Sequence, residues 1–146
     1  EKIAPLLRPA IDNLELLVDQ NETERFSDER SLSGKIEELF SREIISAQAL
    51  NFIRGRSVTK TYLIIDEAQN LTPKQAKGII TRAGKGTKVI LLGDPNQIDH
   101  PLLDERTNGL SYASEKMKGS PLCYQITMSA DECERSALAM DAVKRM

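Results

Sequence analysis

Two short apolar runs, each stopping at a polar cluster and separated by one capped helix, limit the possible folds of this chain more than any other feature. Thr61 to Ile65 (TYLII) is followed at once by Asp66 and Glu67, and Lys88 to Leu92 (KVILL) runs into Gly93-Asp94-Pro95. Short aliphatic and β-branched runs bounded by turn formers read as strands of a buried parallel sheet. Between them, Thr72-Pro73-Lys74-Gln75 sets a hydroxyl at the N-cap, proline at the first helical position and glutamine three residues on, the signature of a capping box. Ala76, Ile79, Ile80 and Ala83 then recur at helical spacing, and Gly84 and Gly86 end the helix. Strand, helix, strand in that order implies a crossover, because parallel neighbours cannot be joined by a tight hairpin.

The alternation continues. Thr107 to Lys118 predicts a helix stopped by Gly119 and Pro121, and Cys123 to Met128 predicts a third strand. Ser129 and Glu132 form a second capping box, opening a last helix whose Leu138, Ala139, Ala142, Val143 and Met146 face a core. The expected fold class is α/β, a parallel sheet flanked by helices. Upstream, Ile3, Leu7, Ala10, Ile11, Leu14, Leu17 and Val18 follow a helical spacing, with Pro5 and Pro9 pushing the clean start to about residue 9. Residues 19–35 are polar and charged and read as a surface loop, Gly34 to Phe40 as a short helix, and Ile44 to Ile53 as a stretch of mixed strand and helix character. The expected division is a helical and polar-loop segment over 1–43 and the strand-bearing part over 44–146.

Composition narrows the function. At 146 residues the chain is long enough to bury a core without a disulfide or metal staple, and its two cysteines make no framework. It shows no leader and no apolar run of ~18 residues, so a cytoplasmic setting without a membrane is expected. Twenty basic against 22 acidic residues give a net charge of −2, which argues against binding nucleic acid by bulk charge. The first residue is Glu1 rather than methionine, which points to a piece of something longer or to a processed product.

In open parallel sheets ligands bind beyond the carboxyl ends of the strands. Here Asp66-Glu67-Ala68-Gln69-Asn70 and Gly93-Asp94-Pro95-Asn96-Gln97 would share that rim. An apolar strand ending in Asp-Glu is the Walker B arrangement, in which the first acid holds magnesium, usually through water, and the second orients or deprotonates the attacking water. Asp66 is therefore the expected magnesium residue and Glu67 the catalytic one. Read without function, the same letters make a solvated turn before a capped helix. The second cluster weighs against that. Gly93 allows close backbone approach, Asp94 adds a third acid, and Gln97 offers a neutral donor and acceptor able to sense a terminal phosphate or position water. With Asp66, Gln69 and Asp94 count as nucleotide-binding candidates.

The stretch LIIDEAQNLTPKQAKGIITRAGKGTKVILLGDPNQID, residues 63–99, closely resembles the ATPase domain of the PhoH-like family, P-loop NTPases similar in motif layout to superfamily-one helicases. Arg54-Gly55-Arg56-Ser57, Asn108-Gly109-Leu110 and Glu132-Cys133-Glu134-Arg135-Ser136 fit further family positions, while the N-terminal 45 residues match only weakly. The resemblance implies a RecA-like fold, ATP and Mg2+ binding, ATP hydrolysis, ring-shaped homo-oligomers with a hexamer as candidate size, and a link to RNA metabolism or helicase-like action. One part is missing. No segment has the Walker A pattern G-x-x-x-x-G-K-[ST], so the RecA-like fold is expected to be incomplete at its N-terminal side and the isolated chain to bind nucleotide poorly. Gly84-Lys85-Gly86-Thr87 imitates part of that pattern, but it joins a helix to a strand, whereas a P-loop joins a strand to a helix.

Other residues carry balanced readings. Arg54 and Arg56 suit phosphate or a neighbouring subunit's nucleotide, and equally suit a solvated loop. Arg135 resembles the position from which helicase-like ATPases place an arginine on the γ-phosphate, and it equally suits a surface pair with Glu132 or Glu134. Lys74, Lys77, Arg82, Lys85 and Lys88 offer a basic run for RNA, but without interleaved aromatics a soluble face is favoured. His100 stands alone, and Cys123 and Cys133 read as buried thiols. Two rival functions remain at this level: a non-catalytic module binding nucleic acid or protein, and a metal-dependent nuclease using Asp66, Glu67, Asp94 and Asp99.

Overall fold

The structure, a computed structural model, describes residues 11–15, 17, 29–48, 57–129 and 136–145. The chain divides into two compact units, Glu1–Arg56 and Ser57–Met146.

In the first unit residues 11–15 and 17 are helical, in keeping with the amphipathic spacing there. Helix α1 spans Glu29–Ser41, so it begins five residues before Gly34 and takes in part of the stretch expected to be a loop. The reason is periodic: Leu32, Ile36, Leu39 and Phe40 continue one apolar stripe through Gly34, whose missing side chain has nothing within 4 Å. Ile36 is buried on that stripe. The helix ends by a left-handed turn at Glu43 (φ 54), with the Glu43 amide donating to Phe40 O and the Ile44 amide to Leu39 O. Residues 44–48 have no regular structure, and the rest of the mixed stretch, like the loop over 19–28, lies outside the described residues.

The second unit carries the strand–helix alternation. Strand β1, Tyr62–Ile65, pairs in parallel with β2, Lys88–Leu91, in the register Tyr62 with Lys88 through Ile65 with Leu91. Helix α2, Pro73–Ile80, makes the crossover. Both halves of its capping box are formed: Gln75 N–H donates to Thr72 Oγ1 at 3.2 Å, and Thr72 N–H to Gln75 Oε1 at 2.8 Å. Helix α2 stops at Ile80 with Thr81 as its C-cap, so Gly84 and Gly86 do not end it as expected: Gly86 (φ 76) lies in the turn into β2, and Ala83, exposed, forms an isolated bridge to Val58 instead of continuing the helix face. Helix α3, Gly109–Met117, packs against α2 and against a 3-10 turn, Ala68–Asn70, that follows β1. The core of this unit is Ile65, Ala68, Leu71, Ala76, Ile79 and Ala113. Helix α4 spans Ala137–Arg145.

The fold is mixed α/β with a small parallel sheet, and the expectation needs three corrections. Cys123 to Met128 is not a strand: residues 123–128 form no regular ladder, and Tyr124, Ile126 and Met128 are exposed. A β-prone run becomes a strand only against another strand's edge, and among the described residues only β1 and β2 pair as strands. Among the described residues β1 is covered on one side alone. Ile65 is buried and Leu63 half-buried, while Tyr62 and Ile64, alternating onto the other face, are exposed at 71% and 58%. Leu138 of α4 is exposed rather than core-facing. Glu132 of the Ser129–Glu132 box lies outside the described residues.

A compact polar knot holds the start of α3. Asn108, fully buried, is its N-cap: Oδ1 accepts the Ser111 amide at 2.9 Å, and Nδ2 donates to Asp104 O and Glu105 O. Ahead of it, the Arg106 and Thr107 amides both donate to Asp104 Oδ1 at 2.8 Å. Those backbone bonds, with the Thr107 hydroxyl, hold the exposed Asp104 carboxyl below its ordinary value of 3.8. Since the folded form binds its proton less tightly, this turn's contribution to stability is complete above pH 3.8 and falls away as pH drops through the lowered folded value. Carboxyl NMR is expected to find Asp104 titrating below 3.8, and Asp104→Asn to remove that part of the acid dependence of unfolding. A midpoint at or above 3.8 contradicts it.

Candidate nucleotide-hydrolysis site

The rim beyond β1 and β2 is built by continuing the ladder. Leu92 N–H donates to Ile65 O at 2.9 Å, and Ala68 N–H to Leu92 O at 2.8 Å, so the chain leaving β1 and the chain leaving β2 stay side by side. That brings Asp66–Asn70 and Gly93–Gln97 together. Asp66 and Glu67 are both exposed at the mouth. The Glu67 amide donates to Asp66 Oδ1 at 2.9 Å, and Glu67 itself takes a left-handed backbone (φ 54, ψ 37) that a non-glycine residue adopts at a cost. This left-handed turn takes Glu67 out of the extended backbone of β1.

Beneath them lies Gln69, 1% exposed. Its amide nitrogen donates to Glu67 Oε2 and, at 2.9 Å, to Gln97 O, while its Oε1 accepts the Asp94 amide at 3.2 Å. Gly93 makes room for this: a Cβ there would collide with Gln69 Oε1 and sit 3.1 Å from the Ala68 and Gln69 backbone nitrogens. Asp94 is a loop organiser as well as an acid. Its Oδ1 accepts the Asn96 amide at 2.9 Å and its Oδ2 accepts Gln97 Nε2 at 2.8 Å, so the Gln97 side chain is held over the loop at the exposed rim. A second clasp went unread in the sequence: Asn70 Oδ1 accepts the amides of Asp99 and His100 at 2.8 and 3.2 Å. Asn after a strand-end acid pair was its one visible sign.

Of the sequence candidates, Asp66, Glu67, Gln69, Asp94 and Gln97 therefore gather on one rim. Arg54, Arg56 and Arg135 lie outside the described residues, as does Cys133. Of the basic run, Lys74, Lys77, Lys85 and Lys88 are exposed, Arg82, just past the end of α2, donates back to Gly78 O, and the Lys88 ammonium stands 5.2 Å from the Tyr62 ring centroid. Cys123 is half-buried and free, and His100 accepts the Leu102 amide at Nδ1. Among the described residues no three histidine, cysteine, aspartate or glutamate side chains gather closely enough to hold a metal, so Asp66, Glu67, Asp94 and Asp99 do not form the cluster a nuclease would use. A single carboxylate beside substrate phosphates is sufficient protein ligation for Mg2+, and the exposed Asp66 fits that need.

A sequence model of the PhoH-like protein family matches residues 1–146, the whole chain. The chain belongs to the PhoH family. It is 41% identical over 140 residues to Protein PhoH2 of Bacillus subtilis (strain 168), covering 95% of this chain and 29% of the relative. Against a PhoH-like protein of the same organism it is 40% identical over 144 residues, 99% of this chain and 40% of that one. A PhoH-like protein of Synechocystis sp. (strain ATCC 27184 / PCC 6803 / Kazusa) shares 35% over 127 residues, 85% and 34% of the two chains. The chain thus spans well under half the length of these PhoH relatives. The PhoH family has a P-loop fold, and its members are in general ATPases. Among the described residues no helix is long and apolar enough to cross a membrane.

Proposed function

We propose that this chain supplies the magnesium-holding and water-activating half of an ATP-hydrolysing site in a RecA-like PhoH ATPase. The observation that carries the reading is the rim itself: an exposed Asp-Glu pair ends a parallel strand, with the second acid in a left-handed turn beside a Gln-bearing loop from the neighbouring strand. Asp66 would hold Mg2+, which when bound neutralises charge building on the phosphates. Glu67 orients a water and accepts its proton as it attacks. Gln97 contacts the terminal phosphate side of the site and registers whether it is occupied, while Asp94 holds Gln97 in place. The phosphate-gripping loop, whose pattern this sequence lacks, comes from elsewhere in the full-length protein.

Arg54, Arg56 and Arg135 are proposed as phosphate contacts within a homo-oligomeric ring, and RNA as the partner to which turnover is coupled. Isothermal calorimetry of the full-length protein is expected to register ATP binding that needs Mg2+, and RNA is expected to raise turnover. Absence of heat with ATP and Mg2+ overturns the reading in favour of a non-catalytic interaction module.

A further inference from the structure

The buried Gln69 does more than fill space, because its amide joins three groups that belong to different parts of the rim. The amide carries two N–H donors, and both are spent: one on the Glu67 carboxylate and one on Gln97 O. Its oxygen takes the Asp94 amide, and at 1% exposure water cannot replace any of these partners. Moving the 93–97 loop, or swinging Glu67 away, therefore strands a buried polar group unless the rest follows. We propose that Gln69 is a positioning residue that couples the Gly93–Gln97 loop to the Glu67 carboxylate, so that Glu67 is held for water activation only when the loop sits in its phosphate-facing place. Neither nucleotide nor metal need touch it, in contrast to the nucleotide-binding role its position in the motif suggests. The inference rests on the ATPase reading for its consequence and on the hydrogen bonds for its existence, and two measurements separate the two.

In the full-length protein, Gln69→Met keeps the length and burial of the side chain and removes all three bonds. It is expected to lower kcat for ATP by about tenfold to a hundredfold while changing KM by less than about threefold, since a mispositioned base slows the chemical step and leaves nucleotide contacts intact. A KM rise that matches the kcat loss identifies a binding residue and overturns the proposal. The second measurement needs no turnover. By NMR, amide exchange at Asp94 is expected to quicken about fivefold or more both in Glu67→Ala and in Gln69→Met, with the double variant no faster than Gln69→Met alone. Exchange at Asp94 that ignores Glu67→Ala, or effects that add, overturns the coupling. A wild-type protein that fails to hydrolyse ATP sinks the ATPase reading instead, and the exchange result still decides whether Gln69 links the two segments.

Discussion

Glu67→Gln in the full-length protein is expected to reduce steady-state ATP hydrolysis by about a thousandfold while leaving Mg2+-dependent ATP binding within about threefold of wild type. The substitution is conservative at every point except the one that matters. A glutamine side chain has the same length, keeps an oxygen able to accept the Gln69 amide proton in place of Glu67 Oε2, and tolerates the left-handed backbone no worse than glutamate does. The Glu67 amide bond to Asp66 Oδ1 is unaffected, because it is made by the backbone. What disappears is a group able to take a proton from water. Because Asp66 is untouched, the variant should trap ATP and Mg2+, and single-turnover measurements should find the chemical step, rather than product release, as the one slowed. Turnover within about twofold of wild type would remove Glu67 from the mechanism. Loss of binding in parallel with turnover would make Glu67 part of the metal site rather than the base.

Legibility in this chain follows how local each decision is. The Thr72-Pro73-Lys74-Gln75 cap and the apolar runs of β1 and β2 are settled by neighbours within a few residues, and they fold as their letters suggest. The adjacency of Asp66–Asn70 to Gly93–Gln97 was also readable, since parallel strands end on one rim. Decisions made at a distance were not. Cys123 to Met128 has strand composition, but pairing depends on an edge that nothing in those six letters supplies. Gln69 is polar and sits in a polar motif, so its burial under Glu67 emerges only once Asp94 and Gln97 have been folded over it. Asn108 is similar: an asparagine before a helix signals a cap, but its complete burial follows from the packing of α3 on the 3-10 turn. Charged letters hid the first turns of α1, where the Leu32–Ile36 spacing carried more information than the acids around it.

The same packing makes Gly109→Ala a strongly damaging single-methyl change in the second unit. Gly109 opens α3 directly against the segment that follows the acid pair, and its amide donates to Leu71 O at 2.6 Å. A Cβ there would lie 2.8 Å from Leu71 Cβ, 2.8 Å from Leu71 O and 2.9 Å from Thr72 O. Two of those three atoms are backbone oxygens, fixed by β1, the 3-10 turn and the Thr72 cap, so α3 has to back away and lose its bond to Leu71. Overpacking costs about 1–3 kcal/mol and the broken buried bond about 1–2 kcal/mol more, against less than about 1 kcal/mol regained from alanine's helix propensity. The expected loss is about 1–5 kcal/mol, read as a lowered urea midpoint with an unchanged slope. Gly78→Ala in α2 supplies the contrast. Its Cβ would meet only Arg82 Nη1, at 3.1 Å, the far end of a side chain that can swing aside, so the propensity gain should survive and stability should rise by up to about 1 kcal/mol. Opposite signs for the same chemical change identify the α3 start as the place where the fold closes on the rim. A Gly109→Ala midpoint equal to wild type would mean that α3 is not seated on the Leu71–Thr72 backbone.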